Sequence, residues 1–148
     1  ALREATRVTF DRLDSDGCMS TNDQVTLLAS GASGVTPDAA EFAALVTSVC
    51  KDLAEQLQGD AEGASHDIRI EVVGAANEDD AVVVGRSVAR NNLFKAAIFG
   101  NDRSRDEVDL TGRAVHVLID LATGDAEATI LTNDLTHDYV HENSAYSS

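Results

Sequence analysis

The stretch IRIEVVGAANEDDAVVVGRSVAR, from Ile68 to Arg90, carries the signals of a strand followed by a helix. Ile68, Ile70 and Val72 alternate with charged residues, which predicts a β-strand with one buried face. Asn77 then precedes three acidic residues, and an asparagine cap with an acidic first turn suits the positive end of a helix dipole. The stretch therefore predicts a strand that leads into an amphipathic helix. We expect the inner face of that helix to be formed by Ala81, Val84, Val88 and Ala89.

Three further elements are predicted before this stretch. The segment from Leu2 to Leu13 predicts a helix, and the apolar run from Val25 to Ala29, which lies between turn-forming residues, predicts a buried strand. Thr36 followed by Pro37 predicts the cap and first turn of a second helix, which ends at Gly59. Apolar residues recur at helical spacing along this helix and predict one buried face, made of Phe42, Leu45, Val46, Val49, Leu53 and Leu57.

The remainder of the chain predicts more strands. Lys95 to Phe99 predicts a short strand. Apolar residues alternate in Val115 to Leu121 and again in Ala126 to Ile130, and the turn sequence ATGD between them predicts a hairpin. His137 to Tyr146 predicts one or two helical turns. Strands mixed with two long helices predict a single domain over residues 1–148, with the fold of an α/β or α+β layered sandwich.

Composition limits the classes of partner. The chain has 148 residues, of which 43% are hydrophobic, and this length is enough for a buried core. The net charge of −15 excludes nucleic acid and anionic membranes as partners, because phosphate binding needs lysine and arginine. Cys18 and Cys50 form no C-x-x-C pair and predict the reduced thiols of a cytoplasmic protein. Because no methionine precedes Ala1, we expect a processed subunit or an incomplete chain.

One carboxylate stands out in the loop sequence GDAEGASHD, Gly59 to Asp67. Glu62 is surrounded there by glycine and alanine, whose small side chains let backbone approach a ligand closely. A surface loop explains this composition equally well. The pattern alone therefore leaves two interpretations of Glu62 open, an ordinary loop residue and a carboxylate aimed at a small ligand.

Other candidate patterns favour structural interpretations. DSDG (Asp14 to Gly17) resembles part of a calcium loop, but Arg12 would occupy the first ligand position, so a polar turn is favoured. His137 and His141 lie four residues apart without accompanying ligands, so we predict no metal site. STND (Ser20 to Asp23) fits a turn or the polar wall of a pocket. The final segment fits a frayed tail or one tucked into a site.

Four stretches, in this order along the chain, resemble one known family. They are TFDRLDSDGCMSTNDQVTLLASGAS (Thr9 to Ser33), GDAEGAS (Gly59 to Ser65), ARNNLFKAAIFGND (Ala89 to Asp102) and DLTHDYVHENSAYSS (Asp134 to Ser148). Together they resemble the C-terminal, β-chain part of the bifunctional ornithine acetyltransferase / glutamate N-acetyltransferase of arginine biosynthesis. The resemblance covers most of the chain.

The resemblance implies an activity and a partner. In that family the precursor cuts itself into an α and a β chain, and the new N-terminal threonine of β is the nucleophile. Acetyl passes from N-acetylornithine through an acyl-threonine intermediate to glutamate, and acetyl-CoA is a possible second donor; no other cofactor is implied. The α chain supplies the oxyanion hole. The implied fold is a layered sandwich related to the DmpA aminopeptidases, and the implied assembly is (αβ)2.

The resemblance also assigns individual residues. Glu62 matches the glutamate of the family's E-G-A motif, which implies substrate contact and possible acid–base assistance. Asn143 matches the asparagine of the E-N-S motif and Ser148 the terminal hydroxyl residue, and both are implied to line the substrate site. Thr21, Asn22 and Asp23 also match a family motif, to which no role is assigned.

Three departures from the family pattern qualify these expectations. No threonine stands at position 1, so the nucleophile lies outside this chain, and residues 1–148 alone are expected to be inactive. Asn101-Asp102 runs directly into Arg103 to Asp106, where the family continues with a further stretch; we expect omitted residues rather than a true deletion. Ser65-His66 replaces the family's usual threonine-lysine.

Two alternatives to the enzyme remain open. One is a non-catalytic amino-acid-binding or regulatory α/β module that kept the family's pocket. The other is a self-cleaving aminopeptidase, which would lack these C-terminal motifs.

Overall fold

A three-stranded sheet forms the centre of the computed structural model, which describes residues 1–18, 22–101 and 110–145. The strands are β1 (Asp67–Ala75), β2 (Ala114–Asp120) and β3 (Ala126–Asn133), in the order β2-β1-β3. β1 pairs in parallel with β2 and antiparallel with β3, so that Ile70 lies opposite both Val117 and Ile130. The predicted strand at Ile68 to Val72 is thus confirmed, with its buried face intact.

The predicted hairpin is wrong, although both of its strands exist. β2 and β3 are not neighbours, because β1 lies between them and pairs with both. The connection passes over the end of β1, where the backbone N–H groups of Thr123 and Gly124 donate to the carbonyl of Gly74 at 2.7 and 2.9 Å. β1 takes the central position because its alternate residues Ile68, Ile70 and Val72 are fully buried.

One face of the sheet is covered by the two helices that connect β1 to β2. They are α3 (Glu78–Ala89), which Asn77 caps through Asp80 N at 2.9 Å as predicted, and α4 (Asn92–Phe99). A Cβ at Gly85 would lie 2.6 Å from Ile130 Cγ1, so glycine allows α3 to approach the sheet closely. The main core lies between α3 and the sheet and includes Ile68, Ile70, Val72, Ala81, Ala89, Ala128 and Ile130.

The predicted strand from Lys95 to Phe99 is wrong, since these residues belong to α4. Its helical conformation is favoured by Asn91, whose side-chain oxygen accepts a hydrogen bond from Phe94 N at 2.9 Å. A short apolar run fits a buried helix as well as a buried strand. The helical turn directs Lys95 and Ile98 into the interior.

The opposite face of the sheet is covered by helices from the start of the chain. α1 (Leu2–Val8) is followed by a 3₁₀ turn (Phe10–Arg12), so the predicted helix ends earlier than Leu13. α2 (Ala39–Gly59) ends at Gly59 as predicted. Its cap, however, is Asp38 rather than Thr36, because the Asp38 carboxylate accepts from the N–H groups of Ala40 and Glu41.

The predicted buried face of α2 is confirmed at Val46 and in part at Phe42, which packs against the same cluster, but not at the other four positions. Val46, Cys50, Ala54 and Gln58 are buried. The leucine and valine residues one position earlier form an exposed row, which we call the outer stripe. Its members Leu45, Val49, Leu53 and Leu57 are 62%, 51%, 45% and 55% exposed.

The predicted strand from Val25 to Ala29 is also wrong. Residues 22–38 contain no helix or strand, and Leu28 is 87% exposed. An extended segment becomes a strand only when a neighbour accepts its backbone hydrogen bonds. Among the described residues, no strand lies beside it.

The last helix is α5 (His137–Ala145), which confirms the predicted helical turns. Helices on both faces of a mixed sheet confirm the predicted layered α+β sandwich. In the part of the chain that the structure describes, no helix is long and apolar enough to cross a membrane.

Candidate functional site

The loop that carries Glu62 packs against the start of α5. Glu62 itself is exposed. Gly63 has a φ of +67°, and a Cβ there would lie 2.6 Å from the carbonyl carbon of Asp138. Any larger residue would therefore clash with the helix backbone as well as being strained. The small residues around Glu62 are explained first by this close approach of loop to helix.

Thr136 joins the same two elements through its side chain. Its hydroxyl donates to the carbonyl of Gly63 and accepts from Tyr139 N at 2.9 Å. The second contact is a helix cap, since it satisfies a backbone N–H of the first turn of α5. One buried hydroxyl thus fixes both the Glu62 loop and the beginning of the helix that carries Asn143.

Asp134 holds the end of the loop. This carboxylate is 3% exposed, and its Oδ1 accepts from the backbone N–H groups of Ser65 and His66, each at 2.9 Å. Its Oδ2 lies 2.6 Å from His66 Nδ1, while His66 Nε2 lies 3.1 Å from the carbonyl of Leu110. A carboxylate and a carbonyl are both hydrogen-bond acceptors, so each ring nitrogen of His66 lies next to an acceptor. The departure from the family at Ser65-His66 is therefore an integral part of this site.

Two buried amides link this site to the end of α2. Gln58 Nε2 donates to the carbonyls of Ile68 and Thr132 at 3.0 and 2.8 Å. Asn133 Nδ2 lies 3.1 Å from the carbonyl of Gln58 and 3.2 Å from that of His66. The backbone at both ends of the Glu62 loop is thus hydrogen-bonded to the last residues of β3.

A buried lysine lies on the other side of Asp134. Lys95 is 3% exposed, and its Nζ donates to the carbonyl of Ser15 and to Thr132 Oγ1 at 3.2 Å. Burial lowers the pKa of Lys95 below its ordinary value, an effect that the nearby carboxylates of Asp16, Asp14 and Asp134 oppose. The positive charge of Lys95 therefore sits among acidic groups that partly offset the cost of burying it.

The turn from Asp14 to Gly17 closes the site. Asp14 forms a 2.7 Å ion pair with Arg90, and Tyr139 donates its phenol to Asp16 Oδ2 at 3.0 Å. Burial and this hydrogen bond to Asp16 raise the pKa of Tyr139 to about 12. The polar turn predicted for this segment is thus tied to both α3 and α5.

The three residues predicted to contact substrate and the family motif without an assigned role lie in different parts of the chain. Glu62 and Asn143 belong to elements that touch each other, and Asn143 Nδ2 donates to Tyr139 O at 2.9 Å within its own helix. Asn22 and Asp23 are exposed at the start of the extended segment. Ser148 and Thr21 lie outside the described residues, so the predicted role of Ser148 at the substrate site stays a prediction.

The predicted histidine pair lies beside this site. His137 packs edge-on against Phe99 with ring centroids 5.6 Å apart, and His141 is exposed. Within the described ranges, no group of three or more histidine, cysteine, aspartate or glutamate side chains is placed to hold a metal ion.

Sequence reasoning missed the residues that organise the site, namely His66, Lys95, Asp134 and Thr136. Asp134 directly follows an apolar strand, and a polar residue at that place commonly borders a site. The burial of Lys95 could not be predicted from the sequence. The segment was expected to be a strand, and that prediction did not define the direction of the lysine side chain.

A separate groove of about 330 Å³ lies between α2 and the opposite face of the sheet. Its charged walls are largely paired internally, since Arg69 binds Glu55 at 2.7 Å and Arg12 binds Glu78 at 2.6 Å. Neither Glu62 nor Asn143 lines it. The candidate site is therefore the Glu62 loop and the helix that carries Asn143, not this groove.

Comparison with known proteins identifies the family. The model of the ArgJ family matches residues 1–105 and 102–148. The chain belongs to the ArgJ family. The two matches meet at the place where the sequence departs from the family pattern.

Curated relatives of this ArgJ-family chain are similar along its whole length. The arginine biosynthesis bifunctional protein ArgJ of Streptomyces avermitilis is 56% identical over 186 aligned positions, which cover 100% of this chain and 49% of that protein. The protein of the same name from Bifidobacterium longum is 48% identical, again over 100% of this chain and 49% of the relative. The chain thus spans about half the length of the curated relatives it matches. The alignment with the Streptomyces protein is 186 positions long, although the chain has 148 residues.

A solved structure shares the fold. The crystal structure of the arginine biosynthesis bifunctional protein ArgJ from Bacillus halodurans superimposes with a TM-score of 0.85 at 27% identity. The match covers 98% of this chain and 91% of that chain. The chain in that crystal is therefore similar in extent to this one.

Proposed function

We propose that this chain is the β-chain part of an acetyltransferase of arginine biosynthesis, which moves acetyl from N-acetylornithine to glutamate. The observation that carries the proposal is 56% identity over the whole chain to a protein named for bifunctional action in arginine biosynthesis. The contact between the Glu62 loop and the Asn143 helix supports it, because these two family motifs meet at one place. The product pair is ornithine and N-acetylglutamate.

The proposed chemistry is acyl transfer through a threonine that lies outside this chain. The threonine hydroxyl oxygen attacks the acetyl carbonyl carbon, the amide C–N bond breaks, and ornithine leaves with the hydroxyl proton on its amine. The amine nitrogen of glutamate then attacks the carbonyl carbon of the threonine ester, the ester C–O bond breaks, and the threonine oxygen regains its proton from that amine. The oxyanion donors also come from outside the chain. Acetyl-CoA is a possible alternative donor, and no other cofactor is proposed.

Three residues of this chain are proposed to contact substrate. Glu62, on an exposed and backbone-anchored loop, is the candidate for binding the substrate ammonium group and for assisting proton transfer. Asn143 on α5 offers amide groups to the carboxylate or amide of the substrate. Ser148 is proposed to complete the site with its hydroxyl.

The proposed partner is the α chain of the same precursor. It would correspond to the half of the curated relatives that this chain does not cover. Support comes from the coverage of 49% of those relatives, and from the crystal chain of similar extent in the Bacillus protein. The outer stripe of α2 is the surface on which we place this partner, because its four apolar side chains are exposed in this chain alone. We further propose an (αβ)2 assembly in the cytoplasm.

The break near residues 102–106 is proposed to mark residues that relatives possess and this sequence omits. The family matches divide there, and the alignment with the Streptomyces protein is longer than the chain. The intact mass of the purified chain tests this proposal, because a mass above 15.6 kDa reveals the omitted residues directly.

The test of the function is acetyl transfer by the protein produced from its complete gene. We expect acetylated threonine, detected by mass spectrometry after exposure to N-acetylornithine. Glu62→Gln should lower the rate of transfer by about tenfold or more, the usual contribution of a positioned acid–base group. Asp60→Asn, an exposed carboxylate of the same loop, is the matched control and should change the rate by less than about twofold.

Two outcomes would overturn parts of this proposal. Absence of both acetyl-threonine and transfer would favour the alternative of a non-catalytic amino-acid-binding or regulatory module. Transfer at the normal rate in Glu62→Gln would reduce Glu62 to a structural loop residue.

A further inference from the structure

We propose that Asp134 is the positioning residue of Glu62, acting through the backbone of the loop that joins Glu62 to β1. This inference rests on the proposed function and adds to it a residue for which no role in the reaction has been given. Asp134 touches neither Glu62 nor Asn143 through any contact described above. Among the described residues, the hydrogen bonds that its carboxylate accepts come from Ser65 and His66.

Glu62 needs such support because its own side chain is exposed. A carboxylate on a surface loop holds a reactive geometry only if the backbone beneath it is fixed, and a shift of about 1 Å can cost about a hundredfold in rate. The loop has little apolar material to fix it, since its residues are mostly glycine, alanine and polar side chains. Hydrogen bonds from outside the loop therefore add to the turn that the loop forms itself, in which Ala64 N donates to the carbonyl of Ala61 at 3.2 Å.

Asp134 supplies three of these contacts from one buried carboxylate. Two go to consecutive N–H groups at 2.9 Å and one to the His66 ring at 2.6 Å. Charge-assisted hydrogen bonds of this kind are about twice as strong as neutral ones. The carboxylate sits on the residue that follows β3, so it transmits the rigid position of the sheet to the loop.

Thr136 provides a second and independent attachment. Its hydroxyl donates to Gly63, the residue directly after Glu62, and also caps α5. The loop is thus held at Gly63 and at Ser65-His66, and both attachments come from three consecutive residues, Asp134 to Thr136. The same three residues determine where α5 begins. The positions of Glu62 and Asn143 therefore both depend on this short segment.

A double-mutant cycle on the complete, assembled enzyme tests the inference. Asp134→Asn should lower kcat for acetyl transfer by about tenfold when Glu62 is present, and by less than about twofold in the Glu62→Gln background. A residue that acts through Glu62 has little left to position once the carboxylate is gone. Equal falls in both backgrounds would overturn the inference.

Asp14→Asn is the matched control. Asp14 is a buried carboxylate of the same polar region, but its 2.7 Å ion pair is with Arg90, the residue after α3, and none of its hydrogen bonds described above goes to the Glu62 loop. Any loss of rate from this substitution should be the same with and without Glu62. Coupling of Asp14 to Glu62 as strong as that of Asp134 would also overturn the inference, since the effect would then be general to the region.

A second pair of variants guards against misfolding of Asp134→Asn. Thr136→Val removes the hydroxyl that holds Gly63, whereas Thr136→Ser retains it. We expect kcat to fall in the valine variant and to recover in the serine variant, with amide hydrogen exchange at Gly63 to His66 faster in the valine variant alone. Full activity in Thr136→Val, with the loop amides still protected, would count against positioning by this segment.

The test separates the inference from the function on which it rests. If the unmodified assembly transfers no acetyl, the proposed function fails and the inference falls with it. If transfer occurs and Glu62→Gln is impaired, additive behaviour of Asp134→Asn overturns the inference alone.

Discussion

Gln58 and its neighbour Leu57 have exchanged the environments expected for their side chains. Gln58 is buried and donates to two backbone carbonyls, whereas Leu57 is 55% exposed in the outer stripe of α2. The polar end of the sheet, where Gln58 lies, is completed by residues of this chain. The outer stripe is not, because four exposed apolar side chains in a row have no cover among the described residues. The described part of the chain therefore satisfies the polar groups of this region internally and leaves an apolar surface exposed.

The difference has a physical cause. A buried amide or carboxylate must form hydrogen bonds in the folded chain, since an unsatisfied one costs about 1–3 kcal/mol or more. An exposed leucine costs less free energy, namely that of keeping its apolar surface in water. A second protein surface removes this cost when it covers the leucine. Buried polar groups must therefore find their hydrogen-bond partners when the chain folds. An exposed apolar surface can be covered afterwards, when a second chain binds. The two regions are expected to respond differently to substitution.

The largest effect is expected inside the polar region. Asp134→Ala should lower the free energy of unfolding by about 3–5 kcal/mol, because it leaves the buried His66 and two backbone N–H groups without their acceptor. Urea unfolding followed by circular dichroism measures this. The control is Glu71→Ala, which removes an exposed partner of His116 at 2.9 Å and should cost less than about 1 kcal/mol. Similar losses for the two variants would contradict the view that the polar region is internally complete.

The next effect is expected on the outer stripe and concerns assembly. Leu53→Glu should weaken association with the proposed partner chain by about 30-fold or more, equivalent to about 2 kcal/mol, because it places a charge in an apolar contact. The secondary structure of the chain should be unchanged, since Leu53 is 45% exposed. Co-purification and titration of the two halves measure this.

Val83→Glu is the control for the outer stripe. Val83 is 63% exposed on α3, on the far side of the sheet from α2. Its substitution should leave association unchanged. If Leu53→Glu proves silent and Val83→Glu disruptive, the partner binds on the other layer. If Leu53→Glu instead abolishes self-association of identical chains, the outer stripe joins two copies.

The sequence predicted the elements that depend on local signals and missed the features that depend on contacts with distant residues. β1 and α3 were predicted because alternation and an asparagine cap are local signals. The hairpin failed because neighbours in a sheet are decided by which strand takes the centre. The burial of Asp134 could not be predicted, since the residues it binds lie 68 and 69 positions away.

The predicted face of α2 was wrong at Leu45, Val49, Leu53 and Leu57 for a different reason. Its apolar spacing is real, but one stripe faces this chain and the neighbouring one is exposed. Sequence periodicity reports that a residue is apolar and not which chain covers it. The strand prediction at Val25 to Ala29 failed similarly, because a strand requires a neighbour that the described chain does not supply.

A smaller effect is expected at the start of α2, at the opposite end of this helix from Gln58. Asp38→Ala should cost about 1 kcal/mol of unfolding free energy, because the carboxylate accepts from the N–H groups of Ala40 and Glu41. Thr36→Ala should lower the free energy of unfolding by only a few tenths of that amount, although the sequence predicted Thr36 as the cap. Thermal unfolding of the two variants measures the difference. A larger loss for Thr36→Ala would restore the cap that the sequence predicted.

The smallest effect is expected for the titration of Tyr139. Burial and the hydrogen bond to Asp16 raise its pKa to about 12, so the folded chain retains the phenol proton above the ordinary pKa of tyrosine, which is about 10. The resulting stabilisation is fully present below the ordinary pKa and is lost as the pH rises through the raised one. Tyr146→Phe leaves Tyr139 as the single tyrosine, because the chain has two. Phenolate absorbance in that background should show the raised midpoint, and adding Asp16→Asn should lower it part of the way, since burial, the larger cause, remains. An ordinary midpoint in the folded protein would mean that the Asp14 to Gly17 turn does not close over α5 in solution.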